Sequence, residues 1–209
     1  MYNVVHIDEK WFYMKEKSII FYLVKDEEDP IRTYKSKNFI TKVIFLVAVA
    51  RPRFNLQQNV ALNGLIGIFP FVIQEPSRRS SVNRHAGTLE TKAMTSITKD
   101  VMRTFLLQKV LPAIKEKWRR EEIGHPILIQ QDNASLHPNC EDGEFRLAAS
   151  YDGLDIRLMC QPPNSPDLNV LDLGFYISIQ ALQYIESPNS IDELVSAVEK
   201  SFQEFEIAK

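Results

Sequence analysis

The chain has 209 residues, of which 44% are hydrophobic and 25% charged, with a formal net charge of −2. That composition suits a folded domain and excludes a disordered or fibrous chain, while the near-neutral balance excludes a surface that is basic all over. The longest apolar run, Val43 to Ala50, is far too short to cross a bilayer, and charges at Asp8, Glu9, Lys10, Lys15, Glu16 and Lys17 break any uncharged leader core. The expectation is a soluble intracellular protein of one domain over residues 1–209.

In chain order, "NVVHIDEKWFYM" and "SIIFYLVK" are short runs rich in Val, Ile, Phe and Tyr and predict a pair of strands closed by the acidic turn "DEEDP". "KVIFLVAVARPRF" is apolar on consecutive positions, the pattern of a central strand covered on both faces. Residues 52–96 read as a loop-rich insertion, and "PSRRSSVNRHAGTLETK" within it carries Arg78, Arg79, Arg84 and Lys92 against Glu90 alone. A solvated loop and a phosphate-binding patch both fit that stretch.

From Thr98 the pattern lengthens into a helix, "TKDVMRTFLLQKVLPAIKEKW", with Pro112 either kinking it or opening a second one. "HPILIQQD" predicts a strand, "EFRLAAS" a short helix, and "DIRLMCQPP" a last strand stopped by two prolines. Two helices close the chain. The final one has a capping-box pair, Ser190 and Glu193, and an apolar face of Ile191, Leu194, Val195, Val198, Phe202 and Phe205. Strands followed by alternating helix and strand predict an α/β fold, a mixed sheet flanked by helices. Cys140 and Cys160 have neither CxxC spacing nor a histidine at metal distance, which in an intracellular chain predicts reduced thiols rather than a disulfide or zinc site.

Asp8 and Asp132 each stand at or near the end of an apolar strand, where ligands gather in α/β sheets. Either alone is explained by solvation; together they would repel unless a cation lay between them. In "QPPNSPDLNVLDLGF", Ser165 and Pro166 predict a helix start, so Asp167 falls in a first turn and complements the helix dipole without any further role. Projected at 100° per residue from Leu168, the positions Leu171, Phe175, Ile179 and Leu182 span about −60° to +20°, with Asp172 at about +40°. Asp172 is thus expected at the edge of a buried face, where a carboxylate needs a positive partner. Three carboxylates without a His/Cys set indicate Mg²⁺ or Mn²⁺, and two such ions suit phosphodiester cleavage or transfer.

The motifs "HIDEKWFYM", "ITKVIFLVAVARPRF", "GTLETK", "KVLPAIKEKW", "QQDNASLHP" and "QPPNSPDLNVLDLGF", in this order, resemble the catalytic domain of mariner-type transposases, in particular the plant-type mariner-like group. The resemblance runs on to "IDELVSAVEKSFQEF". It implies a ribonuclease H-like, retroviral integrase-like fold, with Asp8, Asp132 and Asp172 as the metal-binding catalytic acids of a DDD-type DNA transposase. The spacing of Asp132 and Asp172 is that of the family, whereas Asp167 would give a shorter spacing used by some relatives in another motif context. Asn133 and His137 match positions beside the second acid, which implies supporting roles there or, for His137, contact with DNA.

The implied activity is cut-and-paste transposition in the nucleus: transposon ends are hydrolysed and the freed 3′-hydroxyl attacks target DNA at a TA step, with a homodimer as the full-length assembly. Seven residues precede Asp8 where the resemblance implies a helix-turn-helix region, so an isolated catalytic core is the expectation, and Ser135 and Leu136 stand where relatives have a basic residue and Pro. A domesticated or decayed fragment that binds DNA or a partner without turnover is the alternative; a ribonuclease H-fold nuclease acting on RNA also fits the carboxylates.

Overall fold

The structure is a computed structural model that describes residues 3–15, 39–54, 60–80, 82, 84–118, 125–151 and 153–205. Its centre is a five-stranded mixed sheet built from β1 (Val4–Tyr13), β2 (Lys42–Ala50), β5 (Leu65–Pro70), β8 (Ile127–Gln131) and β9 (Ile156–Cys160). The order across the sheet is β5-β2-β1-β8-β9. β1, β2 and β5 are antiparallel neighbours, while β8 runs parallel to β1 and to β9. The expected α/β, ribonuclease H-like sheet flanked by helices is therefore present. The expected partner strand "SIIFYLVK" lies outside the described residues; along the described chain β1 pairs with β2 from Val5 to Tyr13.

β2 shows why a run of consecutive apolar residues makes a central strand. Leu46, Ala48 and Ala50 pack into one core, and Val43, Phe45, Val47 and Val49 into another on the opposite face. The first core is closed by a helix that starts at the Thr98 cap and carries Met102, Leu106, Val110, Leu111 and Ile114 inward. This helix is α1 (Lys99–Phe105), a wide π turn at Leu106–Val110, and α2 (Leu111–Lys117). Pro112 lacks the N–H that would continue the ladder, and the wide turn directly before it absorbs the mismatch without ending the helix. The short helix α3 (Gly143–Ser150), capped by Asp142, adds Phe145 and Ala149 to the same side.

On the opposite face lie α4 (Tyr176–Ile185) and α5 (Ile191–Glu204). Ser190 Oγ accepts from Glu193 N at 3.1 Å, the predicted cap, and Leu194, Val198 and Phe202 are fully buried against Phe12, Phe45 and Val47. Burial of each such side chain stabilises the fold by roughly 1.5–3 kcal/mol. Phe12 and Phe45 meet edge to face at 5.3 Å, which joins β1 to β2 on this side.

Three expectations are corrected. The span read as a loop-rich insertion contains β5 of the main sheet, the small pair β3 (Arg53–Phe54) and β4 (Val60–Leu62), and a ribbon of β6 (Val72–Pro76) and β7 (Leu89–Ala93). The alternation that would have marked the ribbon is weak because its side chains are mostly half-exposed and polar, so turn residues dominate the pattern. Cys140 and Cys160 form a disulfide rather than two free thiols. β8 and β9 are neighbours, so the loop that leaves β8 returns beside the end of β9, and the two Cα atoms come within 6.5 Å.

The third correction concerns the helix around Asp172, which is not continuous. A single 3₁₀ turn spans Pro166–Leu168, the chain breaks at Asn169, and a wide turn at Leu171–Phe175 leads into α4 with Gly174 at φ 120°. A projection from Leu168 through Leu182 therefore fails, and Asp172 is exposed rather than at the edge of a buried face. At Gly174 a Cβ would meet nothing within 4 Å, so the demand for glycine is purely one of backbone conformation. Gly174→Ala is expected to cost about 1–3 kcal/mol in urea unfolding; a change near zero would show that this kink is not held in the folded protein.

Candidate functional site

The parallel pairing of β1 with β8 covers only Val4 to His6, opposite Leu128 to Gln130. Continued two residues further, that register sets Asp8 level with Asp132, the first residue beyond β8. Asp132 thus stands at the carboxyl end of β8 beside Asp8, which lies midway along β1 rather than at a strand end as the apolar run predicts. Strand alternation fixes which way each residue of the "DE" pair points. Val5 and Ile7 belong to the core under α1 to α3 and Phe12 to the core under α4 and α5, so Asp8 shares a face with Phe12 and Glu9 with Ile7.

Asp8, Asp132 and Asp172 line one open cleft of about 410 Å³, together with Asn133, Gln161, Asn169 and the turn 162–166. Asp172 reaches it because the chain is pinned upstream: Gln130 Nε2 donates to Leu168 O at 3.0 Å, tying the 3₁₀ turn to β8. Asn169 is buried, and its Oδ1 accepts from Leu171 N at 3.2 Å. That bond orients the carboxamide, so Nδ2 donates to Asp8 Oδ2 at 2.8 Å and to Asp172 Oδ2 at 2.9 Å. Asp8 Oδ1 accepts from Glu9 N at 2.7 Å. Burial pushes the Asp8 carboxyl up to about 6, against the lowering effect of the Asn169 and Glu9 hydrogen bonds.

Asp132 is held separately. Its Oδ1 accepts from Ala134 N at 2.8 Å and lies 2.8 Å from His137 Nδ1. The other imidazole nitrogen, Nε2, is 3.0 Å from Glu9 Oε1, and the His137 side chain is 2% exposed. Burial alone would lower the imidazole, but the bond to Glu9, its charge, and Asp132 outweigh it and raise His137 to about 8. His137 near neutrality is thus an imidazolium that donates from Nε2 to the Glu9 carboxylate and from Nδ1 to the Asp132 main-chain carbonyl at 3.1 Å, which joins β1 to the loop after β8. Leu136, unusual for the motif, packs against the core beneath.

Asn133 braces the backbone instead of an acid, since its Nδ2 donates to Gln161 O at 2.8 Å while Gln161 N donates to Gln131 O at 2.8 Å. Together with the Cys140–Cys160 bridge, these contacts fasten the Asp132 loop to the end of β9. Asp167 is exposed in the 3₁₀ turn and does not line the cleft. The basic cluster sits on the β6–β7 ribbon, where Arg84 pairs with Glu90 and Lys92 Nζ with Glu75 at 2.9 Å; Arg78 and Arg79 are exposed. Sequence reading overlooked Glu9 and Asn169. Asn169 meets Asp172 because the chain turns between them, with Asp172 N donating to Asn169 O at 3.2 Å, a turn that helical periodicity does not signal.

Among the described residues, no three His, Cys, Asp or Glu side chains stand close enough to share one metal ion. The Asn169 amide lies between Asp8 and Asp172, and Asp132 is turned onto His137. The donor set itself fits a hard divalent cation: three carboxylates on one cleft, with the nearest imidazole committed to ion pairs and both cysteines bonded to each other. No helix of the described residues is long and apolar enough to cross a membrane.

The fold has counterparts among solved structures. The Mos1 transposase paired-end complex with left transposon end matches with a TM-score of 0.58 and 16% identity, over 98% of this chain and 48% of that one. The Mos1 mariner paired-end complex with Mn gives 0.58 and 16% over 97% and 48%, and the Mos1 strand transfer complex 0.55 and 13% over 98% and 48%. This chain thus spans about half the length of the solved chains it matches. No protein-family model matches the sequence, and no curated protein matches it.

The two shifted groups set a pH dependence of folding. Asp8 protonates more readily folded than unfolded, so its ionisation removes stability as pH rises from about 4 to about 6. His137 contributes most below pH 6.5, and its contribution is lost as pH rises through about 8. In chelator, stability should fall by on the order of 2–3 kcal/mol over the lower limb and about 2 kcal/mol over the upper. Asp8→Asn should flatten the first and His137→Asn the second; urea unfolding at a series of pH values measures both, and a flat parent profile would contradict these assignments.

Proposed function

We propose that this chain is the catalytic core of a mariner-type DNA transposase, which cuts and joins phosphodiesters with Asp8, Asp132 and Asp172 as its three acids. The observation that carries the reading is the meeting of these residues, each from a different motif of the family pattern, on one cleft where the carboxyl end of β8 meets the middle of β1. The Mos1 fold match supports it, since that likeness covers nearly the whole chain.

Mg²⁺ or Mn²⁺, as two ions held by Asp8, Asp132 and Asp172, would supply activation of a water or 3′-hydroxyl and neutralisation of charge on the leaving oxygen. The chain's own part is to aim the three acids. β1 and β8 fix the spacing of Asp8 and Asp132 through sheet register. Ala134 N and the charge of His137, itself held by Glu9, orient the Asp132 carboxylate, and the Asn133–Gln161 bond keeps its loop on β9. Such supporting contacts matter to a metal site nearly as much as the ligands themselves.

The substrate class that follows is DNA: transposon ends, with a TA step as target and a homodimer as the full-length assembly, in the nucleus. Arg78 and Arg79, exposed on the β6–β7 ribbon, suit phosphate contacts rather than base reading. With Arg84 and Lys92 held in ion pairs, they carry more of that role than their neighbours.

Nicking of supercoiled plasmid in Mn²⁺ tests the proposal, with an RNA–DNA hybrid as the comparison substrate. The parent should nick the plasmid, Asp8→Asn, Asp132→Asn and Asp172→Asn should each abolish nicking, and His137→Ala should lower it about 10- to 100-fold. Asp167→Ala should nick like the parent and lose no more than about 1 kcal/mol of stability. Plasmid binding without nicking would favour the domesticated fragment, and cutting confined to the hybrid would favour the RNA-directed nuclease.

A further inference from the structure

Among the described residues, Asn169 is the one whose side chain hydrogen-bonds two of the three acids. It is buried, it stands at the break between the 3₁₀ turn and the wide turn that carries Asp172, and a single nitrogen, Nδ2, donates to Asp8 Oδ2 at 2.8 Å and Asp172 Oδ2 at 2.9 Å. The orientation of the amide is not arbitrary. Oδ1 is committed to Leu171 N at 3.2 Å, so a flipped carboxamide would lose that bond and set oxygen against two carboxylates. Residues 8 and 172 come from opposite ends of the chain, and Asn169 is their bridge.

We propose that Asn169 is a positioning residue with two linked effects: its amide clamps Asp8 and Asp172 together, and it competes with a divalent cation for the same two oxygens, thereby setting the affinity of the cleft. The second effect rests on the reading of the cleft as a cation site; the clamp does not. One nitrogen with two hydrogens satisfies one oxygen of each acid, which keeps two carboxylates side by side at a cost the protein can bear. Binding of a cation to those oxygens requires the amide to yield, so each favourable bond that Asn169 makes weakens the cation by the same free energy.

Asn169 also caps the turn through Oδ1, and the test has to separate that local role from the clamp. Asn169→Asp does so, because it keeps the shape and the Oδ1 acceptor but replaces the donor with a third carboxylate oxygen. In chelator at fixed pH, a residue that only capped the turn would leave Asn169→Asp melting like the parent; the clamp predicts a lower melting temperature for Asn169→Asp than for Asn169→Ala.

The clamp also predicts non-additivity. Asn169→Ala should shift the unfolding equilibrium at least about threefold more in the parent than in a chain carrying Asp8→Asn and Asp172→Asn, where the charged partners are gone. Titration with Mn²⁺ followed by calorimetry should show about fivefold tighter binding or more for Asn169→Ala, and tighter still for Asn169→Asp. Additive melting shifts together with an unchanged Mn²⁺ affinity would overturn the inference. A parent that binds no Mn²⁺ yet keeps the non-additivity would leave the clamp standing and sink the cation reading instead, so the two failures are distinct.

Discussion

Carboxylates brought into one half-buried cleft repel each other, and the surroundings of Asp8, Asp132 and Asp172 are arranged under that constraint. Asp8 and Asp172 share the Asn169 amide; Asp132 leans on the His137 imidazolium, which leans in turn on Glu9. Two of these contacts are long-range, Asn169 to Asp8 and His137 to Glu9, and they tie the local braces around Asp172 and Asp132 to β1. A low local dielectric makes such partners matter more than they would in water. It also explains why the Asp8 carboxyl is raised while His137 is raised too: one group lacks full compensation for burial and the other has more than enough.

The sheet makes this arrangement possible. The two cores that clamp β2 fix the height of β1, and β1 fixes β8 through its parallel register, so Asp8 and Asp132 meet by backbone pairing before any side-chain bond forms. Alternation along β1 then divides the work of neighbouring acids. Asp8 turns toward the layer of α4 and α5 from which Asp172 comes, and Glu9 turns toward the layer in which Leu136 is packed beside His137. The disulfide between Cys140 and Cys160 closes the loop that carries Asp132 and His137 against β9. Stability and candidate chemistry therefore rest on the same pairings.

Much of this could be read before the structure, and the pattern of success is physical. Strands β2, β8 and β9 and helix α5 announce themselves by apolar runs, prolines and a Ser–Glu cap, all local signals. The choice of Asp172 over Asp167 as candidate third acid rests on a motif and on a helix projection, and the structure removes the projection. Gly174 and Asn169 break the helix that the projection assumed, and a break set by one glycine conformation is invisible to periodicity. The cysteine pair was misjudged because compartment was used in place of geometry; only the neighbouring of β8 and β9 shows that the two residues meet. Two of the four cations in the basic stretch face acids across the ribbon, Arg84 to Glu90 and Lys92 to Glu75, which no count of charges along the sequence reveals.

The central claim is that these three aspartates form one divalent-cation site. Titration of the protein with Mn²⁺, followed by the electron paramagnetic resonance signal of the free ion, tests it without any DNA present. The account predicts saturable loss of the free-ion signal that ends at about two ions per chain and is abolished by Asp8→Asn. A signal that tracks added Mn²⁺ from the first addition onward, with parent and Asp8→Asn indistinguishable, would contradict it.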